Sequence, residues 1–171
     1  MDQTLTDVRI KREGVASSSG TQTIVRCDAL VLDTREAPEF IDITEDVQAV
    51  VAEAGVRFGQ VTVTSCHTTA AIRVNENEPL LLEDMARLLH QIAPHDGDYD
   101  HNDFSRRTVN MEEEECANGH AHCQHLFLST SETLPIIEGK MPLGQWQRIF
   151  FVELDRARQR RVLVNVVGLP S

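Results

Sequence analysis

The chain has 171 residues, 41% of them hydrophobic, and a formal net charge of −11 from 27 acidic against 16 basic side chains. That length gives room for one domain with a real core, spanning residues 1–171. The charge argues against a nucleic-acid or anionic-membrane binder, so an anionic substrate needs a local exception built from arginines or a metal.

The opening stretch MDQTLTDVRIKREG has no apolar signal core, and no run approaches bilayer length, which reads as a cytoplasmic protein. The four cysteines, Cys27, Cys66, Cys116 and Cys123, form no CxxC pair and read as thiols. Strands are predicted over Thr6–Glu13 and Thr21–Asp33, with Ala16–Gly20 as the turn between them. The first helix follows Asp42-Ile43-Thr44. Thr44 reads as its N-cap, Val47, Val50, Val51 and Ala54 make one apolar stripe, and Gly55 stops it. Strands are predicted again over Val61–Cys66 and Thr69–Asn75. A second helix opens at Pro79, carries Leu81, Leu82, Met85, Leu88, Leu89 and Ile92 on its apolar face, and ends at Pro94. The last predicted strands are His125–Thr130, Arg148–Leu154 and Arg160–Val167. This order lacks strict βα alternation and contains no glycine-rich phosphate loop. It predicts an α+β fold: a mostly antiparallel or mixed β-sandwich with two main helices packed on it.

The segment Val61–Glu78 concentrates the chemistry. A β-rich run is interrupted by His67-Thr68-Thr69 and closed by Asn75-Glu76-Asn77. Polar groups at strand ends cost stability unless they are bonded to something, so this segment reads as part of a site. His90 and His95 read as helix C-terminal histidines favoured by the dipole. The run from Cys116 to His125 is dense in metal-ligand types but matches no standard zinc spacing. Read as extended chain, it puts His120 and His122 on one face and Cys123 and His125 on the other. Trp146, the only tryptophan, reads as core, an interface anchor or a stacking wall. Three neutral imidazoles drawn from separate segments suit a zinc ion with one open position, and Glu76 suits a general base or a carboxylate that orients a histidine.

Taken as a set, several pieces resemble the YjbQ-like proteins, an uncharacterised family often labelled secondary thiamine-phosphate synthase. The pieces are His67-Thr68-Thr69-Ala70, Asn75-Glu76-Asn77, Tyr99-Asp100-His101, Asn118-Gly119-His120-Ala121-His122, Leu134-Pro135-Ile136, Gly144-Gln145-Trp146-Gln147, Glu153 and Arg160-Arg161. The resemblance runs from Gly14 to Gly168. It implies an α+β homotrimer with pockets near subunit boundaries, and a divalent metal, zinc above all, on His67, His101 and His122. It places Glu76, Asn75 and Asn77 in the same pocket as catalytic groups, with Thr68, Thr69, Gln145 and Trp146 holding a small-molecule substrate. Gln124 stands where the family often has lysine, which weakens a phosphate-bearing substrate. The implied activity is a transferase that joins a pyrimidine pyrophosphate to a thiazole phosphate. The alternatives are a metal-dependent hydrolase and a non-catalytic metal- or ligand-binding trimer. Arg73, Lys140, Arg148 and Arg161 are the cations considered for a leaving pyrophosphate.

Overall fold

The computed structural model describes residues 10–19, 23–111, 113 and 115–170. Two antiparallel sheets build it. The five-stranded sheet has the order β1 (Ile10–Ser19), β2 (Ile24–Asp33), β8 (Gln159–Pro170), β4 (Val56–Ser65), β6 (Ser131–Ile137). The three-stranded sheet has the order β3 (Glu39–Asp42), β7 (Gln147–Glu153), β5 (Ala70–Glu76). Among the described residues three helices accompany them: α1 (Thr44–Ala54), α2 (Pro79–Ile92) and α3 (Gly119–His125). The α+β sandwich expected from the sequence is the fold observed, and every strand pair in it is antiparallel.

β7 shows how the layers are made. Its side chains alternate between two cores, as a strand's period of two requires. Ile149 and Phe151 join the main core, with α1 and the five-stranded sheet. Phe150 and Val152, followed by Leu154, join a second core with Leu89 of α2 and Ala121 of α3. A central strand buried on both faces therefore reads as a continuous apolar run. α1 sends Val47, Val50 and Val51 into the main core with no exposed surface.

Several expectations are corrected. Ala16–Ser19 belongs to β1 rather than to a turn; Thr6–Arg9 and Gly20–Gln22 lie outside the described residues. Thr44 is the first residue of α1 and not its cap. Its hydroxyl donates to Asp42 Oδ1 (2.6 Å) and accepts from Ile149 N–H (2.8 Å), which fastens the helix start to β7. Gly55 does end the helix, at φ 66°. His125–Thr130 is not a strand: α3 ends there, and Leu126 and Phe127 stand 80% and 65% exposed. The strand lies further on, at Ser131–Ile137, where Pro135 is tolerated because β6 is a sheet edge. β3 escaped the sequence reading. α2 runs as expected, but its predicted apolar face buries only Leu89 fully, while Leu88 and Ile92 remain exposed.

Candidate functional site

The site forms where the chain crosses between the sheets. β4 belongs to one sheet and β5 to the other, so residues 66–69 must step across. Residues 154–158 make the matching step from β7 to β8. The two crossings are tied together: Cys66 N–H donates to the Arg161 carbonyl (3.2 Å), and Leu154 N–H to the Thr69 carbonyl (3.1 Å). The His67 ring is held in the same way, with Nε2 accepting from Arg161 N–H at 2.9 Å. In the neutral ring that bond leaves the proton on Nδ1.

Beneath the crossings lies a buried ionic cluster. Glu153 has no exposed surface and Arg160 is 3% exposed. Arg160 grips the Glu153 carboxylate through Nε (2.6 Å) and Nη2 (2.5 Å). Thr34 O–H and the N–H groups of Leu154 and Asp155 complete its shell. Arg160 also donates to Thr69 Oγ1 (3.2 Å). One carboxylate thereby fixes the chain after β2, before β5 and between β7 and β8.

The other two histidines arrive on separate elements. A 3-10 turn at Asp100–Asn102 carries His101, and α3 carries His122. Asn102 Oδ1 accepts from Gly119 N–H at 2.9 Å. A Cβ on Gly119 would sit 2.6 Å from Tyr99 Cβ, so this close approach requires glycine. The contact brings the His101 and His122 rings to 4.7 Å between centres.

His67, His101 and His122 thus line one cavity of about 590 Å³, with Thr68 and Thr69. Arg107, Arg156, Arg158 and Arg160 line it too. Burial, then the neighbouring Arg160 charge, holds the His67 pKa below its ordinary value. Burial, then His101 and Arg107 among others, does the same for His122. Both are therefore neutral near pH 7. Four of the six buried side-chain polar atoms that lack a partner among the described residues belong to this lining: His101 Nε2, Arg107 Nη1, Arg158 Nε and Asn118 Oδ1. Buried polar groups are normally satisfied, so the two unpaired guanidinium donors, Arg107 Nη1 and Arg158 Nε, mark a place in this cavity for an acceptor that comes from outside.

The three histidines share the cavity, but as arranged they do not suit a divalent cation. Among the described residues no three His, Cys, Asp or Glu side chains form a group that could hold a metal ion. The Nε2 lone pair of His67 is already used, and guanidinium groups surround the rings.

The predicted single pocket is two cavities in one chain. Glu76, Asn77, Gln145 and Trp146 line a second cavity, of about 420 Å³, with Asp42, Glu78 and Arg148. The reason is the length of β5: seven extended steps from Thr69 to Glu76 span roughly 23 Å. Asn75 lines neither described cavity, and its amide points to Met85 Sδ (3.1 Å). Asn77 Nδ2 donates to Asp42 Oδ2 (3.1 Å). Of the four cations considered from sequence, Arg148 lines the second cavity, and Arg73, Lys140 and Arg161 line neither. The arginines of the histidine cavity were missed, although a signal existed: residues 156–161 hold four arginines in six positions of an acidic chain. Gln124 is buried away from the cavity. Its amide donates to the Leu89 and Ala93 carbonyls (3.2 and 2.9 Å), so the absent lysine says little about phosphate.

A family model described as UPF0047 protein YjbQ-like matches residues 28–169. A UPF0047 protein of Methanothermobacter thermautotrophicus is 41% identical over 141 residues, covering 82% of this chain and 91% of that one. The solved structure of a YbjQ-like protein of unknown function from Sulfolobus solfataricus superposes with a TM-score of 0.77 at 32% identity, covering 85% of this chain and 99% of that one. A second, a YjbQ/UPF0047-family protein of Clostridium acetobutylicum, gives 0.71 at 36% identity, over 81% and 98%.

Proposed function

The chain belongs to the YjbQ-like UPF0047 family, and on that premise we propose that its histidine–arginine cavity binds a phosphate-bearing small molecule and transfers a group from it. One observation carries this reading: the unpaired guanidinium N–H groups of Arg107 and Arg158 meet in one cavity with the unpaired His101 Nε2. Guanidinium forks match phosphate geometry and supply the charge-assisted bonds that a leaving pyrophosphate needs.

The roles divide by geometry. His67 accepts a backbone N–H at Nε2, so in its neutral form it offers a donor from Nδ1 and is a poor base. The His101–His122 pair, whose rings adjoin and of which His122 is held neutral by burial first, offers ring nitrogen to orient a substrate N–H or O–H. In the transferase reading, a thiazole nitrogen attacks the pyrimidine methylene carbon. The carbon–oxygen bond to pyrophosphate breaks, and the leaving group departs with the electron pair onto Arg107 and Arg158. No step of this needs Glu76, which lies in the other cavity.

The test is calorimetric titration of the untagged chain with inorganic pyrophosphate, followed by product analysis with the two thiamine precursors. A charge-assisted bond to a buried group is worth about 1.5–3 kcal/mol. Arg107→Ala and Arg158→Ala should therefore each weaken pyrophosphate binding at least about tenfold. No heat of binding in the wild type would sink the reading. Binding without turnover of the precursors would leave the non-catalytic alternative, and release of phosphate from simple esters would favour hydrolysis.

A further inference from the structure

We infer that a second, two-histidine site for a divalent transition-metal ion lies between the α2–α3 loop and α3, built from His95 and His120. It is separate from the arginine cavity, and its residues have no part in the function proposed above. His120 is 3% exposed, yet its Nδ1 has no partner among the described residues. The Leu154 backbone lies near enough to act on the ring as a hydrogen-bond acceptor. A contact made by Nε2–H leaves the Nδ1 lone pair free. A histidine that donates one ring N–H to a backbone carbonyl and presents the other nitrogen bare is arranged as metal ligands commonly are.

His95 supplies the second imidazole. Its ring centre lies 4.5 Å from that of His120, the planes tilted by 53°. Two imidazoles bound side by side on one ion, at about 2.0–2.1 Å, have ring centres roughly 4.5–5 Å apart. His95 is exposed at the surface, so it can swing to admit an ion. His90, also exposed, is near enough to influence His120 electrostatically. No three donors converge among the described residues, so water completes the coordination sphere.

The neighbouring charges separate this pair from His101 and His122, whose rings stand at a similar distance. Four arginines line the main cavity; Asp155 acts on His122 as well as on His120, but no arginine stands among the leading groups that act on His120. Asp96 and Asp98 follow His95 in the same loop. Imidazoles among arginines suit an anion, and a pair without arginines beside it leaves room for a cation. Ions that prefer imidazole nitrogen, Ni²⁺, Cu²⁺ and Zn²⁺, are the class expected.

Equilibrium dialysis of the untagged, chelator-stripped chain against NiCl₂ tests the site. Wild type should bind nickel, and His122→Ala should retain that binding. His95→Ala, a surface change that leaves the fold intact, should weaken it at least tenfold. Equal binding by His95→Ala and wild type would overturn the inference, as would nickel lost from His122→Ala but kept by His95→Ala. No nickel bound by wild type would overturn it too.

Discussion

Glu153 shows how one residue can hold a site together. It accepts from Thr34, Leu154, Asp155 and the Nε and Nη2 groups along one edge of the Arg160 guanidinium, all in burial. Among the described residues, replacing it with glutamine would leave Arg160 as a buried cation whose remaining carboxylate partner is Asp155, at 3.9 Å. Breaking one side of a buried pair costs on the order of 3–5 kcal/mol. Glu153→Gln should therefore lower the urea midpoint by that equivalent and loosen the crossings that position His67. A loss below about 1 kcal/mol, the level of a surface pair, would show that the cluster does not organise the cavity. Glu153 was visible in sequence as part of the family pattern, but its role was not. Thr34 is 119 residues away from it, and nothing in local spacing announces such a partner. His67 is the opposite case. A histidine and two threonines interrupting an apolar run were conspicuous because they violate the local pattern, and they do line the cavity.

At the scale of elements, what was legible was punctuation. Gly55 ends α1, and Pro79 and Pro94 bracket α2 as the sequence suggested. α3 was not legible, because seven residues, three of them histidines, give too little periodicity to distinguish helix from strand. It is held from outside: Gln124 reaches across to two carbonyls at the end of α2. Gln124→Leu removes both bonds, at about 1–3 kcal/mol for buried acceptors left short of a donor. It should also speed amide exchange over residues 89–98; unchanged exchange there would mean that α2 and α3 are coupled by the apolar core alone. A second element-level constraint is the pairing of β4 with β8. Gly59 and Gly168 face each other there, and a Cβ on Gly59 would lie 2.2 Å from the Val167 carbonyl oxygen. Gly59→Ala must push backbone aside, so a destabilisation of about 1–3 kcal/mol is expected in thermal unfolding. An unchanged melting temperature would show that the sheet can yield at this point.

The whole molecule carries two signatures of its own. Leu80, Leu88 and Ile92 on α2, with Leu126 and Phe127 after α3, are exposed apolar groups. The homotrimer implied by the family resemblance is a reading that would cover such groups. Light scattering should then return about 58 kDa, three times 19.2 kDa, and a mass of one chain would remove the trimer. The second signature is the response of stability to acid. Burial is the leading cause that holds His67, His120, His122 and His125 below their ordinary pKa of 6.5. The unfolded chain therefore takes up protons near pH 6.5 while the folded chain still resists them. Where the unfolded state binds more protons, stability rises with pH, so it must fall as the solution is acidified from 6.5 through the lowered native values. Asp42 is lowered as well: burial pushes it up, but hydrogen bonds from Thr44 and Arg148 outweigh this. Its own loss begins only below its ordinary 3.8, outside the histidine window. Melting temperature measured in a chelator should be level from pH 8 to about 7 and decline steadily below about 6.5, as histidine linkage requires. His122→Asn should flatten part of that decline. A melting temperature that stays level down to pH 5 would mean that these rings accept protons in the folded state as readily as in the unfolded one, and the neutral histidines on which the transfer chemistry depends would be lost with it.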